Sequence, residues 1–112
     1  MISRHWTGIA KRDRADDYVE HLETDTFPRL GVLPGFVRAT ILRRERDEGT
    51  EFRIVTLWES LSSIRAFAGS DIEAAVVPDE VKAMMADYDR RATHYEVVAT
   101  IESKRSAGPD VP

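Results

Sequence analysis

The sequence predicts a single α+β domain in which an antiparallel sheet carries helices on one face. Three observations lead to this class. Runs with a period of two, typical of strands, alternate along the chain with runs of helical spacing. Two of the strand-like runs flank a short polar turn, as the strands of a hairpin do. The resulting order, βαββαβ, is the split βαβ pattern of ferredoxin-like folds.

The first predicted strand is the alternating run ISRHWTGIA, residues 2–10, which carries large side chains on both faces. Asp13 is expected to cap the helix that follows. The apolar stripe of that helix consists of Ala15, Tyr18, Val19 and Leu22. Because Pro28 interrupts the helical spacing, FPRLGVLPG at residues 27–35 predicts a turn or one extra helical turn.

The hairpin is predicted next, with strands at residues 36–44 and 51–59. Ser60 is expected to cap a helix that ends before Gly69, where a residue with positive φ fits well. The connector, SDIEAAVVP at residues 70–78, has no clear pattern of its own.

Asp79 is expected to cap a second helix after the hairpin, and one face of that helix is expected to be buried. That face consists of Val81, Met84, Met85 and Tyr88. Residues 93–102 predict the last strand. Residues 104–112 have the composition of a disordered tail, so the folded domain is expected to span residues 1–103.

The predicted sheet is apolar on both faces, although the helices can cover only one of them. The face without helices is assigned Phe36, Leu42, Val55, Leu57 and Val98. Since no further helix remains to cover these side chains, a second copy of the same sheet is the expected cover. The chain is therefore predicted to form a homodimer with the two sheets packed face to face.

The composition argues against several classes of protein. The formal net charge of −4 disfavours non-specific binding to nucleic acid. The absence of cysteine excludes disulfides, thiolate metal sites and cysteine nucleophiles. No apolar run is long enough for a signal peptide or a membrane span. We therefore expect a cytoplasmic protein that binds neither nucleic acid nor membranes.

Arg4 and Trp6 are the first candidates for a binding site. They lie on the same face of the first strand, beside the small Gly8. An arginine next to an aromatic ring can hold an anionic ring by charge and by stacking. An interior ion pair between Arg4 and a carboxylate is the alternative.

The last strand begins with His94 and Tyr95, which the alternation places on opposite faces. Tyr95 shares the more apolar face and is expected in the core or in a pocket wall. His94 is expected at the strand end or in the dimer interface, beside the end of the first strand and away from His5. His21 lies off the apolar stripe of its helix. Because no two histidines are expected to meet, no metal site is predicted.

Three segments carry a family resemblance: MISRHW at the start, TLWESLSSIRAFAGSDIEAAVVP after the hairpin, and DRRATHYEVV near the end. Over roughly residues 1–101 the chain resembles the antibiotic biosynthesis monooxygenase family. The resemblance implies a dimeric α/β barrel made of two ferredoxin-like subunits. Members of this family include cofactor-free monooxygenases of aromatic polyketides and haem-degrading enzymes.

The haem-degrading members carry a tryptophan, an iron-ligating histidine and an asparagine at three characteristic positions. Here Phe67 stands at the tryptophan position and Val77 at the histidine position, and the chain contains no asparagine. Haem degradation by that mechanism is therefore not expected.

The polyketide-oxidising members use neither metal nor flavin, because the deprotonated substrate itself reduces O₂. By this resemblance the chain is expected to be a cofactor-independent monooxygenase that acts on a small aromatic or polyketide-like substrate. A non-catalytic dimeric protein that binds a small molecule is the alternative. No catalytic residue is singled out. The expected substrate-binding residues are Arg4, Trp6, Trp58, Phe67 and Tyr95.

Overall fold

The structure, a computed structural model, describes residues 1–104 and shows one antiparallel sheet with helices packed on one face. The strand order is β2-β3-β1-β4, and β5 also pairs with β1. The α+β, ferredoxin-like prediction is thereby confirmed. The strands are β1 (Ile2–Ala10), β2 (Phe36–Arg46), β3 (Gly49–Trp58), β4 (Met85–Tyr88) and β5 (Thr93–Glu96).

The segment between β1 and β2 is helical throughout most of its length but changes geometry along the way. It comprises a 3₁₀ turn (Arg12–Arg14), α1 (Ala15–His21), a π-helical segment (Leu22–Thr26) and α2 (Phe27–Leu30). The prediction of Asp13 as a helix cap was wrong. Asp13 lies inside the 3₁₀ turn. This turn is closed by a hydrogen bond of 2.8 Å from the Arg14 amide to the Lys11 carbonyl.

The two helices after the hairpin are α3 (Leu61–Ala68) and α4 (Asp79–Met84). Ser60 caps α3 in a reciprocal capping box with Ser63, and Gly69 ends it with φ of 85°, so both predictions are confirmed. The prediction of Asp79 as the cap of α4 was wrong, because Asp79 is the first residue of the helix and Pro78 is its N-cap. The prediction that helix α4 continues to Tyr88 was also wrong. The chain becomes extended at Met85, the first residue of β4. Met85 is buried as predicted, but as part of a strand and not of a helix. Within residues 1–104, no helix is long and apolar enough to cross a membrane.

Of the last predicted strand, residues 93–102, only β5 forms, whereas β4 comes from the segment predicted as helix. The two strands pair with opposite halves of β1. In this register His94 pairs with Arg4, so its predicted position beside the end of the first strand was wrong. β5 ends at Glu96, and only the Val97 amide still reaches Met1, because β1 begins at Ile2 and offers no further partner. The predicted strand beyond residue 96 is therefore absent up to residue 104. The predicted tail, apart from Lys104, lies outside the described residues.

The sheet face opposite the helices, here called the open face, carries Ser3, His5, Val55, Leu57 and Tyr95. Leu42 also lies on it, next to Arg53.

Phe36 was predicted on the open face, and that assignment was wrong. A register shift between Phe36 and Arg38 turns the Phe36 ring toward the helices, where it packs against Trp58 with ring centroids 5.3 Å apart.

Candidate ligand cavity

A cavity of about 70 Å³ lies between the sheet and the helices. β1 and β3 form its floor, the helical segment forms one wall, and α3, the connector and α4 form the other. Among the lining residues, Arg4 alone carries a charge. The lining residues are Arg4, Trp6, Tyr18, Leu22, Thr26, Phe27, Leu30, Ile54, Thr56, Phe67, Val76, Pro78 and Val81.

Gly8 makes room for the Trp6 ring on the floor of the cavity. A Cβ atom at Gly8 would lie 2.5 Å from the Trp6 ring and 3.1 Å from the Met85 sulfur. The Trp6 indole N–H donates to the Asp89 carbonyl at 2.7 Å, which fixes the ring's orientation. A larger residue at position 8 would displace Trp6 from the cavity floor.

The Arg4 guanidinium is buried, with 4% of the residue exposed. It donates to the carbonyl of Ile72, to the carbonyl of Ala74 at 2.8 Å and to Nε2 of His94 at 2.8 Å. Its central carbon lies 5.6 Å from the centre of the Phe67 ring. Burial lowers the pKa of Arg4 to about 10, so the side chain is still cationic at neutral pH.

Arg4 has no carboxylate partner among residues 1–104, and its bonds to neutral acceptors compensate only part of the desolvation of its charge. The alternative considered from the sequence, an interior ion pair between Arg4 and a carboxylate, is therefore not present among the described residues. A guanidinium carries five N–H donors, and the three bonds to Ile72, Ala74 and His94 leave some of them free. The cavity therefore contains a cation able to receive an anion.

His94 orients Arg4. Because a guanidinium can only donate, Nε2 of His94 must accept, so this imidazole is neutral and carries its proton on Nδ1. Burial, followed by the positive charge of Arg4, lowers the pKa of His94, whereas Glu73 acts in the opposite direction. His94 thus belongs to the cavity side of the sheet.

The lowered pKa of His94 predicts how the stability of the fold depends on pH. Since the folded-state pKa lies below the ordinary histidine value of 6.5, the stability contributed by neutral His94 is present above that pH and is lost as the pH falls through the folded pKa. We expect His94→Gln, which keeps an acceptor, to reduce the decline of melting temperature between neutral and mildly acidic pH. NMR titration of the imidazole gives the pKa directly, and a value above 6.5 would contradict the assignment.

Tyr18 supplies a second polar group to the cavity, and sequence reasoning missed it by treating Tyr18 only as part of an apolar stripe. The residue is buried, and its ring packs edge-on against Phe52 with centroids 5.0 Å apart. Its hydroxyl makes no hydrogen bond within residues 1–104. Burial raises the pKa of Tyr18, so the phenol is neutral and can donate. A tyrosine in an otherwise aliphatic stripe was the available signal, because a buried hydroxyl needs a partner.

The structure brings Arg4, Trp6 and Phe67 together on the cavity. Trp58 lies behind them, fully buried and stacked on Phe67 with centroids 6.1 Å apart. Tyr95 does not reach the cavity. The register of β5 places it on the open face, 56% exposed and edge-on to His5.

The connector is held against the loop between β4 and β5. Arg91 donates to Asp71 at 3.0 Å and to Glu73 at 3.2 Å, and the Ala92 amide donates to the Glu73 carbonyl at 2.7 Å. These ion pairs are more than half exposed, so each contributes little stability. Apart from one bridge at Ala74, the connector has no helix or strand, which makes it the least regular wall of the cavity.

Comparison with known proteins gives a consistent result. The chain resembles a monooxygenase, ActVA-Orf6 of Streptomyces coelicolor, in complex with nanaomycin D (TM-score 0.66, 19% identity, 92% of each chain covered). It also resembles SnoaB, a cofactor-independent oxygenase from Streptomyces nogalater (TM-score 0.62, 17% identity, 91% of this chain and 97% of that one). A third similar structure is MhuD, a heme-degrader from Mycobacterium tuberculosis with two hemes bound (TM-score 0.59, 20% identity, 91% and 100%).

Identities this low show a shared fold and no more. No curated protein sequence matches the chain significantly. The family model described as antibiotic biosynthesis monooxygenase, however, matches residues 3–87, well over half of the sequence. The chain therefore belongs to the antibiotic biosynthesis monooxygenase family.

Proposed function

We propose that this protein is a monooxygenase that oxidises a small aromatic or polyketide-like substrate without a bound cofactor. The observation that supports this proposal is Arg4, a buried cation with no carboxylate partner among the described residues, facing an apolar cavity. A substrate enolate or phenolate would be the anionic partner that Arg4 does not find among the described residues. The rings of this substrate would pack against Trp6 and Phe67 in place of water.

The chemistry follows from that charge. A guanidinium close to a phenol or enol lowers the pKa of that group and favours the anion. The anion is electron-rich and reduces O₂ directly: one oxygen atom enters the substrate, the other leaves as water, and the substrate is the only electron donor. Arg4 and the neutral Tyr18 hydroxyl stabilise the oxyanion from the lining of an otherwise mostly apolar cavity. The proton released on ionisation passes to solvent. The water that leaves takes one hydrogen from solvent and one from the carbon that is oxidised, so the step balances without a further acid or base on the cavity lining.

The size of the cavity limits how the substrate enters. Pockets that enclose a drug-sized ligand measure about 300–1,000 Å³, whereas this one has about 70 Å³. A substrate with several rings therefore requires the cavity to widen. The connector, with its exposed ion pairs to Arg91, is the least regular wall, but its Ile72 and Ala74 carbonyls accept from Arg4. Its displacement therefore requires that the substrate anion take over as acceptor for Arg4.

A haem-dependent function has less support. MhuD, which shares the fold, binds two hemes. The cavity lining described above includes no histidine that could ligate iron, and its volume is far below that of a porphyrin. Because the residues present do not fit haem, no step of the proposed reaction passes through it.

We also infer that the functional unit is a homodimer. The open face exposes Leu42 and Tyr95, and the segment after β5 exposes Val98 and Ile101 almost fully. A second copy of the sheet would cover this face, as the sequence predicted. The alternative to an enzyme, a dimeric protein that only binds a small molecule, shares all of these features.

Oxygen uptake separates the enzyme from the binding protein. With a hydroxyanthrone or a naphthohydroquinone as the probe, the enzyme is expected to consume O₂ well above the uncatalysed rate after removal of metal ions by a chelator. Saturable binding of the same probe without oxygen uptake would support the binding protein instead. Product masses should show one added oxygen atom from ¹⁸O₂ per turnover.

Tyr18→Phe is expected to separate binding from stability. The variant loses a hydrogen bond to the substrate anion, so affinity should fall by roughly tenfold or more. Because the hydroxyl has no partner within residues 1–104, the melting temperature should stay the same or rise. Titration with the probe and thermal unfolding measure the two effects. Tyr88→Phe, which removes a hydroxyl outside the cavity lining, is the control, and equal losses in both variants would contradict the role of Tyr18.

A further inference from the structure

His21, Asp25 and Glu80 form a cluster outside the cavity. His21 was expected to lie off the buried face of its helix, but it is only 9% exposed. Nε2 of His21 lies 3.7 Å from a carboxylate oxygen of Asp25, and Nδ1 lies 3.9 Å from one of Glu80. One ligand atom from each residue can be chosen so that all three lie within 4.8 Å of one another.

One buried ring nitrogen of His21 has no hydrogen bond within residues 1–104. This nitrogen is Nε2, which is enclosed by protein. Its distance to Asp25 is too long for a hydrogen bond. A buried nitrogen left without a partner destabilises the fold, because its desolvation is not compensated. A ligand that bonds to this nitrogen would remove that destabilisation.

The position of the cluster connects it to the cavity. His21 ends α1, Asp25 lies in the π-helical segment, and Glu80 lies in the first turn of α4. The residue that follows each of the three lines the cavity, namely Leu22, Thr26 and Val81. π-Helical segments within helices occur frequently at functional sites. The cluster thus joins the two elements that form opposite walls of the cavity.

We propose that His21, Asp25 and Glu80 bind one divalent first-row transition metal ion such as Zn²⁺. Metal–ligand bonds of about 2.0–2.2 Å place neighbouring ligand atoms roughly 3.4 Å apart, and the 3.7 Å between His21 and Asp25 is already close to this value. Glu80 lies nearest the other ring nitrogen, Nδ1, so its exposed side chain must rotate toward Nε2 to bind the same ion as Asp25. An imidazole with two carboxylates favours such an ion over Mg²⁺ or Ca²⁺, which prefer oxygen ligands alone.

Arg29 is the competing cation. It donates to the same Asp25 oxygen at 2.7 Å. A carboxylate can accept from an arginine with one oxygen while the other binds a metal ion, so the two interactions are compatible after a small rotation of Asp25. The bound ion would fix α4 against α1 and so hold the cavity walls together, and it takes no part in the oxidation proposed above.

The test uses the full chain after removal of metal ions. Zn²⁺ is titrated by calorimetry, and Co²⁺ by its visible absorption. We expect one ion per chain, a higher melting temperature with Zn²⁺, and weaker binding of Mg²⁺ and Ca²⁺. Asp25→Asn, Glu80→Gln and His21→Gln should each weaken Zn²⁺ binding by at least about tenfold. Glu23→Gln and Asp79→Asn make the same change of charge beside the cluster and should leave binding within about twofold.

Two results would overturn the site. One is the absence of saturable Zn²⁺ binding up to about 1 mM, a concentration that corresponds to roughly 4 kcal/mol of binding free energy. The other is equal weakening in Glu80→Gln and in its neighbour Asp79→Asn, which would indicate diffuse attraction to surface charge. Glu80 is exposed, so its variant is expected to fold even if His21→Gln does not.

Discussion

Replacing Arg4 by methionine is expected to weaken the binding of an anionic aromatic ligand by roughly 100-fold or more. Methionine fills much of the same space without charge. Loss of one partner of a buried, hydrogen-bonded charge pair typically costs about 2–5 kcal/mol. The neutral methyl ether of the same ligand does not need the guanidinium, so its affinity should change little. Titration followed by the fluorescence of Trp6, which lies on the cavity floor, measures both affinities.

The controls for Arg4 separate its charge from its bonds to the connector. Arg4→Lys keeps the charge but cannot bond to Ile72, Ala74 and His94 together, and an intermediate loss is expected. Arg65→Met removes an exposed arginine from α3 and should have no effect. Equal losses for the anionic and the neutral ligand in Arg4→Met would mean that Arg4 only supports the cavity wall. That result would remove the main support for an anionic substrate.

The Arg4 site illustrates what a sequence can predict. Strand alternation within β1 suffices to place Arg4 and Trp6 on one face, because the period of two is a property of the strand itself. The helix cap at Ser60 is equally local, since it depends on hydrogen bonds between Ser60 and Ser63. Features determined by neighbouring residues in the chain were therefore accessible from the sequence.

Features determined by pairing between distant segments could not be predicted from the sequence. The faces of His94 and Tyr95 depend on where the chain breaks between β4 and β5, and a shift by one residue exchanges the two faces. The register shift beside Phe36 likewise depends on β3 and has no signal in the alternation of β2. The cluster of His21, Asp25 and Glu80 was not predicted for the same reason. Glu80 comes close to His21 only when α4 packs against α1.

The open face is the second place where a single substitution should have a large effect. Leu42, Val55 and Leu57 lie there as predicted, whereas Phe36 is in the core and Val98 lies beyond the end of β5. Leu42 is 49% exposed, and Val98 is 88% exposed. Burying an aliphatic side chain of this size contributes about 1.5–3 kcal/mol. Val55 and Leu57 are half-buried. Leaving Leu42 and Val98 in water, with Val55 and Leu57 partly so, forgoes a noticeable part of the stability of a small domain.

Leu57→Arg is therefore expected to convert a homodimer into monomers or aggregates. Arg38 pairs with Leu57 across the strands, so the new charge would meet a like charge as well as an apolar partner surface. Leu61→Arg is the matched control, because Leu61 is 45% exposed on α3, away from the open face. Sedimentation equilibrium gives the oligomeric state, and a dimer should show a melting temperature that rises with protein concentration. A wild-type chain that is monomeric at tens of micromolar, with a melting temperature independent of dilution, would contradict the dimer and leave the exposed side chains of the open face without an explanation.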